Sequence, residues 1–304
     1  MEVDNLIKVT LTNEILKRIS EIDENRFSLS TIELPPVTKN RLRKNSKKKS
    51  SYASNKIEGN PLTEKQASEA IDSEPHKHFL KPEQEVRNYF LALNLLEKKL
   101  KKKEFFSKEM ILEVQAMVEK GAGKEKIGLR GPMPPGVLFA VYDSETGVPE
   151  YIPPEYIDIP VLLDELVEYV NTTDDHPLII AAVVHHQLVT IQPFEEGNGR
   201  TARLMSGYIL DYYGYGFNGI GSLEEYFAYD PDEYYASLQM GLPALYYSGR
   251  ENPPHPEIWI NYFLKMMGLC SKKVYELSKA SEKDELEGSL SYFCLLYTSD
   301  AADD

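Results

Sequence analysis

The chain has 304 residues, of which 42% are hydrophobic and 27% charged, as is typical of a globular protein with a sizeable core. Its formal net charge of −14 argues against a general nucleic-acid binder. No apolar run reaches the roughly 18 residues that a membrane span needs. The acidic N-terminus lacks the features of a signal peptide, and the two cysteines, Cys270 and Cys294, do not suggest a disulfide framework. We therefore expect a cytoplasmic protein.

One segment departs from the acidic average. Residues 39–56 carry eight basic side chains and no acidic one. Such a run can contact phosphates, although a solvated face or loop is the more common explanation.

Helical periodicity dominates the rest of the chain. Apolar residues recur at helical spacing in residues 83–100, 160–170 and 256–280. In the last range the predicted apolar side consists of Ile258, Trp259, Tyr262, Phe263 and Met266. Residues 179–184 are almost wholly apolar, which predicts a buried helix. The fold is therefore predicted to be mainly α.

Three helix starts are indicated by capping patterns. Thr63 with Gln66 and Ser222 with Glu225 match the capping box, in which the two side chains satisfy backbone N–H groups reciprocally. Asp230 precedes a proline and two acids, the arrangement favoured at a first helical turn.

A single stretch indicates β structure. Residues 137–142 and 148–153 flank a glycine-containing loop and predict a β-hairpin. Prolines restrict the second arm to an edge strand. The free edge of a hairpin can pair with an extended peptide. The residues alone leave equally open that the hairpin is only a surface feature.

The most informative segment, residues 192–203, is Gln-Pro-Phe-Glu-Glu-Gly-Asn-Gly-Arg-Thr-Ala-Arg. Helical patterns flank it on both sides, so it predicts a helix, a glycine-rich loop and a second helix. Glycines let backbone N–H groups converge, and a helix N-terminus adds positive potential, which together suit phosphate groups.

Charged side chains complete this predicted anion site. Arg200 and Arg203 lie three residues apart and can face the same side of a helix. A glutamate beside a phosphate nest is repelled unless a cation lies between them. We therefore predict that Glu196 is a Mg²⁺ ligand that shares the ion with phosphate oxygens.

Residues 192–203 resemble the signature of the Fic family, His-Pro-Phe-x-Asp/Glu-Gly-Asn-Gly-Arg-x-x-Arg, and match every defining position except the first. The similarity extends over about residues 30–270. It implies a Fic-type helical bundle with a β-hairpin flap at residues 137–153. By this resemblance we divide the chain into an N-terminal region (1–80), a Fic core (81–215), with the phosphate loop (192–203), and C-terminal helices (216–293).

The resemblance also implies an activity, transfer of AMP from ATP to a hydroxyl group of a target protein. Glu196 would hold Mg²⁺, and Gly197, Asn198 and Gly199 would cradle the α- and β-phosphates. Arg200 would help to hold the phosphates, and Arg203 would reach the γ-phosphate. Phe194 would anchor the loop, and the flap would clamp the target segment. The resemblance leaves open whether the protein forms a homo-oligomer.

A second motif, Ser54-Asn-Lys-Ile-Glu58-Gly-Asn60, resembles the inhibitory helix of the same family, which we place at about residues 51–60. A carboxylate at Glu58 beside Arg203 would take the place of the γ-phosphate and hold ATP in an unreactive pose. The alternative is that Glu58 is a surface glutamate before a turn and has no function.

Gln192 occupies the position of the family histidine, which takes a proton from the attacking hydroxyl. An imidazole does this near neutral pH, whereas a glutamine amide can only orient the hydroxyl. His185 and His186 lie more than one helical turn away, and we expect them to be core residues.

Three functions stay open from the sequence. The chain is a slow, autoinhibited adenylyltransferase, a nucleotide-binding pseudoenzyme, or a regulator whose further domain binds DNA with help from residues 39–49. Residues 294–304 differ in character from the rest and resemble a translated sequencing adapter, so we expect the natural chain to continue differently.

Overall fold

The computed structural model describes residues 7–74, 79–122, 127–142, 146–249 and 255–299, with side chains described up to residue 283. The predicted mainly α fold with one small hairpin is confirmed. The residues described form these elements: α1 (Asn13–Ser30), α2 (Pro36–Ile57), α3 (Glu64–Asp72), α4 (Lys81–Lys101), α5 (Lys108–Glu119), β1 (Val141–Tyr142), β2 (Pro149–Tyr151), α6 (Ile159–Thr172), α7 (Pro177–Ile191), α8 (Asn198–Tyr212), a 3₁₀ turn (Phe217–Gly219), α9 (Glu224–Phe227), α10 (Pro231–Gln239), α11 (Tyr246–Gly249) and α12 (Pro256–Ser299).

Helix α7 lies at the centre of the core and packs antiparallel to α8. Its residues 178–188 are all buried, which confirms the buried helix predicted from residues 179–184. Ser206 of α8 donates a hydrogen bond of 2.8 Å to the carbonyl of Ala181. The indole N–H of Trp259 in α12 donates another, of 2.8 Å, to the carbonyl of Ala182. These bonds fix α8 and α12 against the helix that leads into the loop.

The other predicted helices are found close to their expected positions. Residues 83–100 and 160–170 lie within α4 and α6, and residues 256–280 lie within the longer α12. The prediction for Ile258 is wrong, because its surface is 44% exposed whereas its neighbour Trp259 is fully buried. Adjacent residues of a helix point about 100° apart, and α12 turns Trp259 rather than Ile258 toward α7.

Two of the three predicted caps are confirmed. Thr63 and Gln66 form a complete capping box, and the Asp230 side chain accepts a hydrogen bond from the N–H of Glu233. The capping box of Ser222 with Glu225 is wrong, because α9 begins at Glu224 with Leu223 as its N-cap residue. The Ser222 hydroxyl instead donates a hydrogen bond to the Glu224 carboxylate, which also accepts one from Ser50.

The hairpin is antiparallel, with Val141 opposite Tyr151 and Tyr142 opposite Pro149. Residues 143–145 of its predicted loop lie outside the described residues. The second arm continues to Ile152, whose N–H donates to the carbonyl of Ala244 at 2.7 Å. Both residues of β1 are exposed, and among the described residues β1 pairs only with β2, so it is an edge strand.

The basic run of residues 39–56 lies within α2, and much of its charge is compensated. Each of five cations lies within 4.0 Å of a carboxylate of Asp72, Glu97 or Glu225: Arg43, Lys44, Lys47, Lys48 and Lys49. This pairing favours the interpretation of a helix face packed near acidic neighbours over that of a phosphate-binding surface. Within the described ranges, no helix is both long and apolar enough to cross a bilayer. The segment 294–304 lies beyond the described side chains.

The N-terminal cap of α10 can be tested by mutation. Replacement D230A should lower the free energy of unfolding by about 1 kcal/mol, because it removes the acceptor of the Glu233 N–H. Replacement D230N keeps a capping oxygen and should retain most of the stability. Urea denaturation of both variants measures the difference, and equal losses would contradict the assigned cap.

Candidate functional site

The glycine-rich loop connects the end of α7 to the start of α8. Gln192 ends α7 in the left-handed region with φ of 47°, and Gly197 precedes α8 with φ of 82°. Between them the Phe194 N–H donates to Asn198 Oδ1 at 3.0 Å, and Asn198 Nδ2 donates back to the Phe194 carbonyl at 2.8 Å. Phe194 itself is fully buried, as predicted for the loop anchor. The Asn198 side chain therefore fixes the shape of the loop.

The start of α8 has no side-chain cap, so its first backbone N–H groups face outward from the helix end. Two carboxylates lie against this end. A Cβ atom added to Gly199 would lie 2.5 Å from Glu58 Oε1, and one added to Gly197 would lie 2.5 Å from Glu119 Oε1. Acidic side chains therefore approach the loop backbone at Gly197 and Gly199. A larger residue at either position would displace the neighbouring carboxylate.

Arg203 is the most completely surrounded charge in the site. Its side chain is 1% exposed, and Nη2 lies 2.6 Å from Glu58 Oε1. Nε donates to Ser54 Oγ at 2.8 Å, Nη2 also donates to the Ser54 carbonyl at 3.1 Å, and Nη1 donates to the Tyr234 hydroxyl at 3.3 Å. Burial alone would lower the pKa of Arg203, but Tyr234, Glu58 and Tyr89 together raise it. The guanidinium is therefore fixed as a permanent cation.

Glu58 differs from Arg203 in being accessible. It is the C-cap residue of α2, and its side chain is 34% exposed although the carboxylate contacts Arg203. The predicted placement of the Glu58 carboxylate beside Arg203 is thus present in the structure, and Ser54 of the same motif is a further partner of Arg203. The Glu58 side chain therefore lies at the edge of the core, with part of its surface open to solvent.

Arg200 points away from Arg203 and into a separate ion pair. Its Nη2 donates to Glu119 Oε1 at 2.9 Å, and Nη1 lies 3.8 Å from Glu85 Oε1. Nη1 also donates to Asn55 Oδ1 at 3.4 Å. Burial raises the pKa of Glu119, although Arg200 opposes this. The expectation that both arginines share one face is therefore met only in part, because the Arg200 guanidinium is buried between α2, α4 and α5.

Glu196 lies on the exposed side of the loop, next to the first glycine. Its backbone carbonyl accepts a hydrogen bond of 3.2 Å from Gln115 Nε2, which fixes the backbone at this point. The described residues contain no group of three or more side chains arranged to hold a metal ion by themselves. A metal here would thus have to take most of its ligands from water and a substrate.

Gln192, at the position where the family resemblance implies a histidine, is held through its backbone. The Gln192 carbonyl accepts a hydrogen bond of 2.7 Å from Arg130 Nε, and the Gln192 N–H donates to the Leu188 carbonyl at 3.2 Å. The side chain is partly exposed. The amide at this position therefore has a defined place at the surface of the site.

His185 and His186 are core residues, as expected. His185 Nε2 lies 2.8 Å from the Tyr234 hydroxyl, and its ring centroid is 4.9 Å from that of Trp259. Burial lowers the pKa of His185 well below its ordinary value and that of His186 to about 4. Both rings are neutral at pH 7 and enclosed, so neither replaces the family histidine.

Three residues of the site were not found from the sequence: Glu119, Arg130 and Tyr234. Each lies far along the chain from the loop, and none belongs to a motif or a periodic pattern. Only the packing of α5, α10 and the segment before the hairpin brings them to the loop. The charge of a buried arginine requires a partner, but the sequence does not indicate which acid supplies it.

The site and fold together define a helical bundle in which a helix–loop–helix, with no side-chain cap on its second helix, lies beside a β-hairpin. The sequence matches the Fic/DOC family profile over residues 105–210, which span α5, the hairpin, α6, α7, the loop and most of α8. Residues 105–210 are therefore similar to the Fic/DOC family. The match falls within the Fic core predicted at residues 81–215.

Relatives of known sequence support the assignment. The chain is 28% identical over 204 residues to the protein adenylyltransferase Fic of Drosophila mojavensis, an alignment that covers 66% of this chain and 38% of that protein. It is 29% identical over 199 residues to the protein of the same name from Nematostella vectensis, covering 63% and 44%. The chain thus spans about two-fifths of the length of these relatives.

Solved structures show the same fold. A Fic family protein from Desulfovibrio desulfuricans G20 has a TM-score of 0.69 at 22% identity, covering 88% of this chain and 76% of its own. Fic-1 of C. elegans, residues 134–508, has a TM-score of 0.68 at 23% identity, covering 88% and 73%.

The buried pair of Arg200 and Glu119 is open to a direct test. Replacement E119A should destabilise the protein by about 3–5 kcal/mol, because it leaves the Arg200 guanidinium buried with only the more distant Glu85. The double variant E119A/R200A should lose at least about 1 kcal/mol less than the two single losses added together.

Urea denaturation of the unchanged protein, E119A, R200A and E119A/R200A measures this coupling between Glu119 and Arg200. The exposed pair of Lys17 and Glu21, 4.0 Å apart on α1, is the control, for which we expect coupling near zero. Additive losses at Glu119 and Arg200 would show that the two side chains do not support each other.

Proposed function

We propose that this chain is a protein adenylyltransferase, which transfers AMP from ATP to a hydroxyl group of a target protein, and that Glu58 holds it in an inactive state. The observation that carries the proposal is the carboxylate of Glu58, which lies at the uncapped N-terminus of α8 and 2.6 Å from Arg203. An anion thus already occupies the place where a phosphate would find a helix N-terminus and a fixed cation. The name shared by the relatives supports the activity.

The phosphate chain of ATP would lie along the loop. Backbone N–H groups at Gly197, Asn198 and Gly199 would receive the α- and β-phosphates, and Arg203 would receive the γ-phosphate after Glu58 has left. Neither glycine could carry a side chain here, because a Cβ would fill the space that an acidic group or phosphate needs. Since Arg203 is held by Tyr234 as well as by α2, it keeps a fixed position when Glu58 leaves.

Mg²⁺ fits the chemistry of this site. Mg²⁺ retains several waters and is commonly held by one or two carboxylates together with substrate phosphates, so one exposed carboxylate at Glu196 is a sufficient protein ligand. When bound, the ion would neutralise phosphate charge. Glu196 would hold it on the solvent side of the loop, opposite the buried Arg203.

We propose that Arg200 supports the loop from behind, because its guanidinium is already paired with Glu119, and Glu119 lies against Gly197. This differs from the direct phosphate contact implied by the family resemblance.

The target protein would bind along the hairpin. Strand β1 exposes its outer edge, whereas the second arm is bonded to residues 244–246 through Ile152. An extended target segment would pair with β1 and bring its hydroxyl group toward Gln192.

Gln192 limits the rate of transfer. A general base contributes about 10²–10⁴-fold, and a glutamine amide cannot supply this contribution. The remaining catalysis comes from positioning and charge neutralisation, on which phosphoryl-type transfer chiefly depends. We therefore propose slow transfer.

A nucleotide-binding pseudoenzyme is the second candidate. It is favoured because the two histidines nearest to Gln192 along the chain, His185 and His186, are buried with lowered pKa values and do not reach the loop. A DNA-binding regulator has less support, because the cations of α2 are largely paired with acids.

Two substitutions, E58G and Q192H, distinguish the adenylyltransferase from the pseudoenzyme. The variant E58G should bind Mg·ATP more tightly than the unchanged protein, because Arg203 and the α8 N-terminus become free for phosphate. It should label protein weakly with ATP carrying a radioactive α-phosphate. Adding Q192H should raise labelling by about 10²–10⁴-fold, since an imidazole accepts the hydroxyl proton.

Calorimetry measures the binding, and label incorporated from added cell lysate measures the transfer. Strong labelling by the E58G variant with Gln192 retained would reject the pseudoenzyme. Failure of the E58G variant to bind ATP would reject both nucleotide functions.

A third substitution tests the metal ligand. In the E58G background, E196Q should remove most of the increase in ATP affinity that Mg²⁺ produces, because an amide is a poor ligand for this ion. The neighbouring exposed residue Glu195 provides the matched control E195Q, which should keep the Mg²⁺ effect. Equal Mg²⁺ dependence in all three proteins would show that Glu196 is not the ligand.

A further inference from the structure

Arg130 joins the two parts of the site that the proposed reaction must bring together. It lies before the hairpin, outside any helix, and is only 6% exposed. Its Nε donates to the Gln192 carbonyl at 2.7 Å, and its backbone N–H donates to the Pro193 carbonyl at 2.9 Å. Two consecutive carbonyls at the end of α7 are therefore bound by one residue.

The same guanidinium reaches both arms of the hairpin. Its Nη2 donates to the carbonyl of Pro154, which follows β2. Its central carbon lies 4.5 Å from the ring centroid of Phe139, which precedes β1. A planar guanidinium with several fixed donors can make these contacts at once, whereas a lysine ammonium cannot.

The backbone of Gln192 is in a conformation that needs such support. A φ of 47° is uncommon for a residue other than glycine, and it persists where the surrounding structure holds it. The direction in which the side chain at position 192 leaves the backbone depends on this dihedral angle. Arg130 bonds to the carbonyls of Gln192 and Pro193, which directly follow this dihedral angle, while the Gln192 N–H before it is bonded to Leu188.

We propose that Arg130 is a positioning residue that couples the hairpin to position 192. It holds the backbone of Gln192 so that the side chain faces the hydroxyl of a target lying on β1, and it keeps the two arms at a fixed distance from the loop. Its effect on transfer rests on the proposed function. The mechanical coupling of hairpin and loop by Arg130 does not depend on the proposed function.

A second contact between the hairpin and α7 supplies a matched control. The Tyr151 hydroxyl donates to the carbonyl of Thr190 at 2.7 Å, so Y151F removes one bond between the hairpin and the end of α7. It leaves both Arg130 bonds to Gln192 and Pro193 in place. If Arg130 is the coupling residue, only its replacement should loosen the loop.

Amide hydrogen exchange tests the coupling in the otherwise unchanged protein. In R130M, exchange should become at least about tenfold faster both at Ile152 and at Gln192 and Phe194, whose N–H groups are bonded in the structure. In Y151F it should become faster at Ile152 alone. Faster exchange confined to the hairpin in R130M, or no change, would overturn the proposal. Should R130M not fold, R130K, which keeps the charge without the fork, carries the same expectation.

The E58G/Q192H protein tests the catalytic consequence. Adding R130K should lower kcat for AMP transfer by about tenfold or more and leave KM for ATP within about twofold, because Arg130 bonds to Gln192 and Pro193 and to none of the residues proposed to receive the phosphates. A change in KM for ATP with unchanged kcat would overturn the positioning role. If E58G/Q192H itself does not transfer AMP, the proposed function fails, and hydrogen exchange still decides the coupling.

Discussion

The arrangement of the site depends on the buried charge of Arg203, which needs hydrogen-bond acceptors from the surrounding helices. A guanidinium removed from water requires several acceptors, and here Ser54, Glu58 and Tyr234 supply them from α2 and α10. These helices must therefore converge on α8. Three of the contacts belong to fixed core groups, whereas the Glu58 carboxylate is partly exposed. The same set of bonds thus combines a rigid cation with one exchangeable anion.

The two arginines of the loop motif serve different purposes despite their spacing of three residues. Arg203 faces the site through Glu58, and Arg200 is enclosed with Glu119 on the opposite side of the loop. Each carboxylate also lies against one of the two glycines. The loop is therefore held between two acidic side chains from outside the motif, of which one is accessible and the other buried. Only the accessible one is suited to be displaced by a substrate.

Gln192 is held by its backbone within a well-ordered loop. The backbone at this position is held by Arg130, the loop by Phe194 and Asn198, and the neighbouring histidines remain in the core. Among the described residues, the hydrogen bonds at position 192 involve its backbone groups. The loop and the contact of Glu58 with Arg203 therefore form without help from the side chain at position 192.

The sequence by itself determined the features that depend on local patterns. Periodicity predicted α4, α6 and α7, the caps at Thr63 and Asp230 were correct, and the motif at residues 192–203 located the loop. Ser222 and Ile258 were misassigned because Glu224 and Trp259 take the positions that tertiary packing favours. The partners Glu119, Arg130 and Tyr234 were decided only by the tertiary structure, because charge neutralisation and hydrogen bonding in a core act between residues close in space, whatever their separation along the chain.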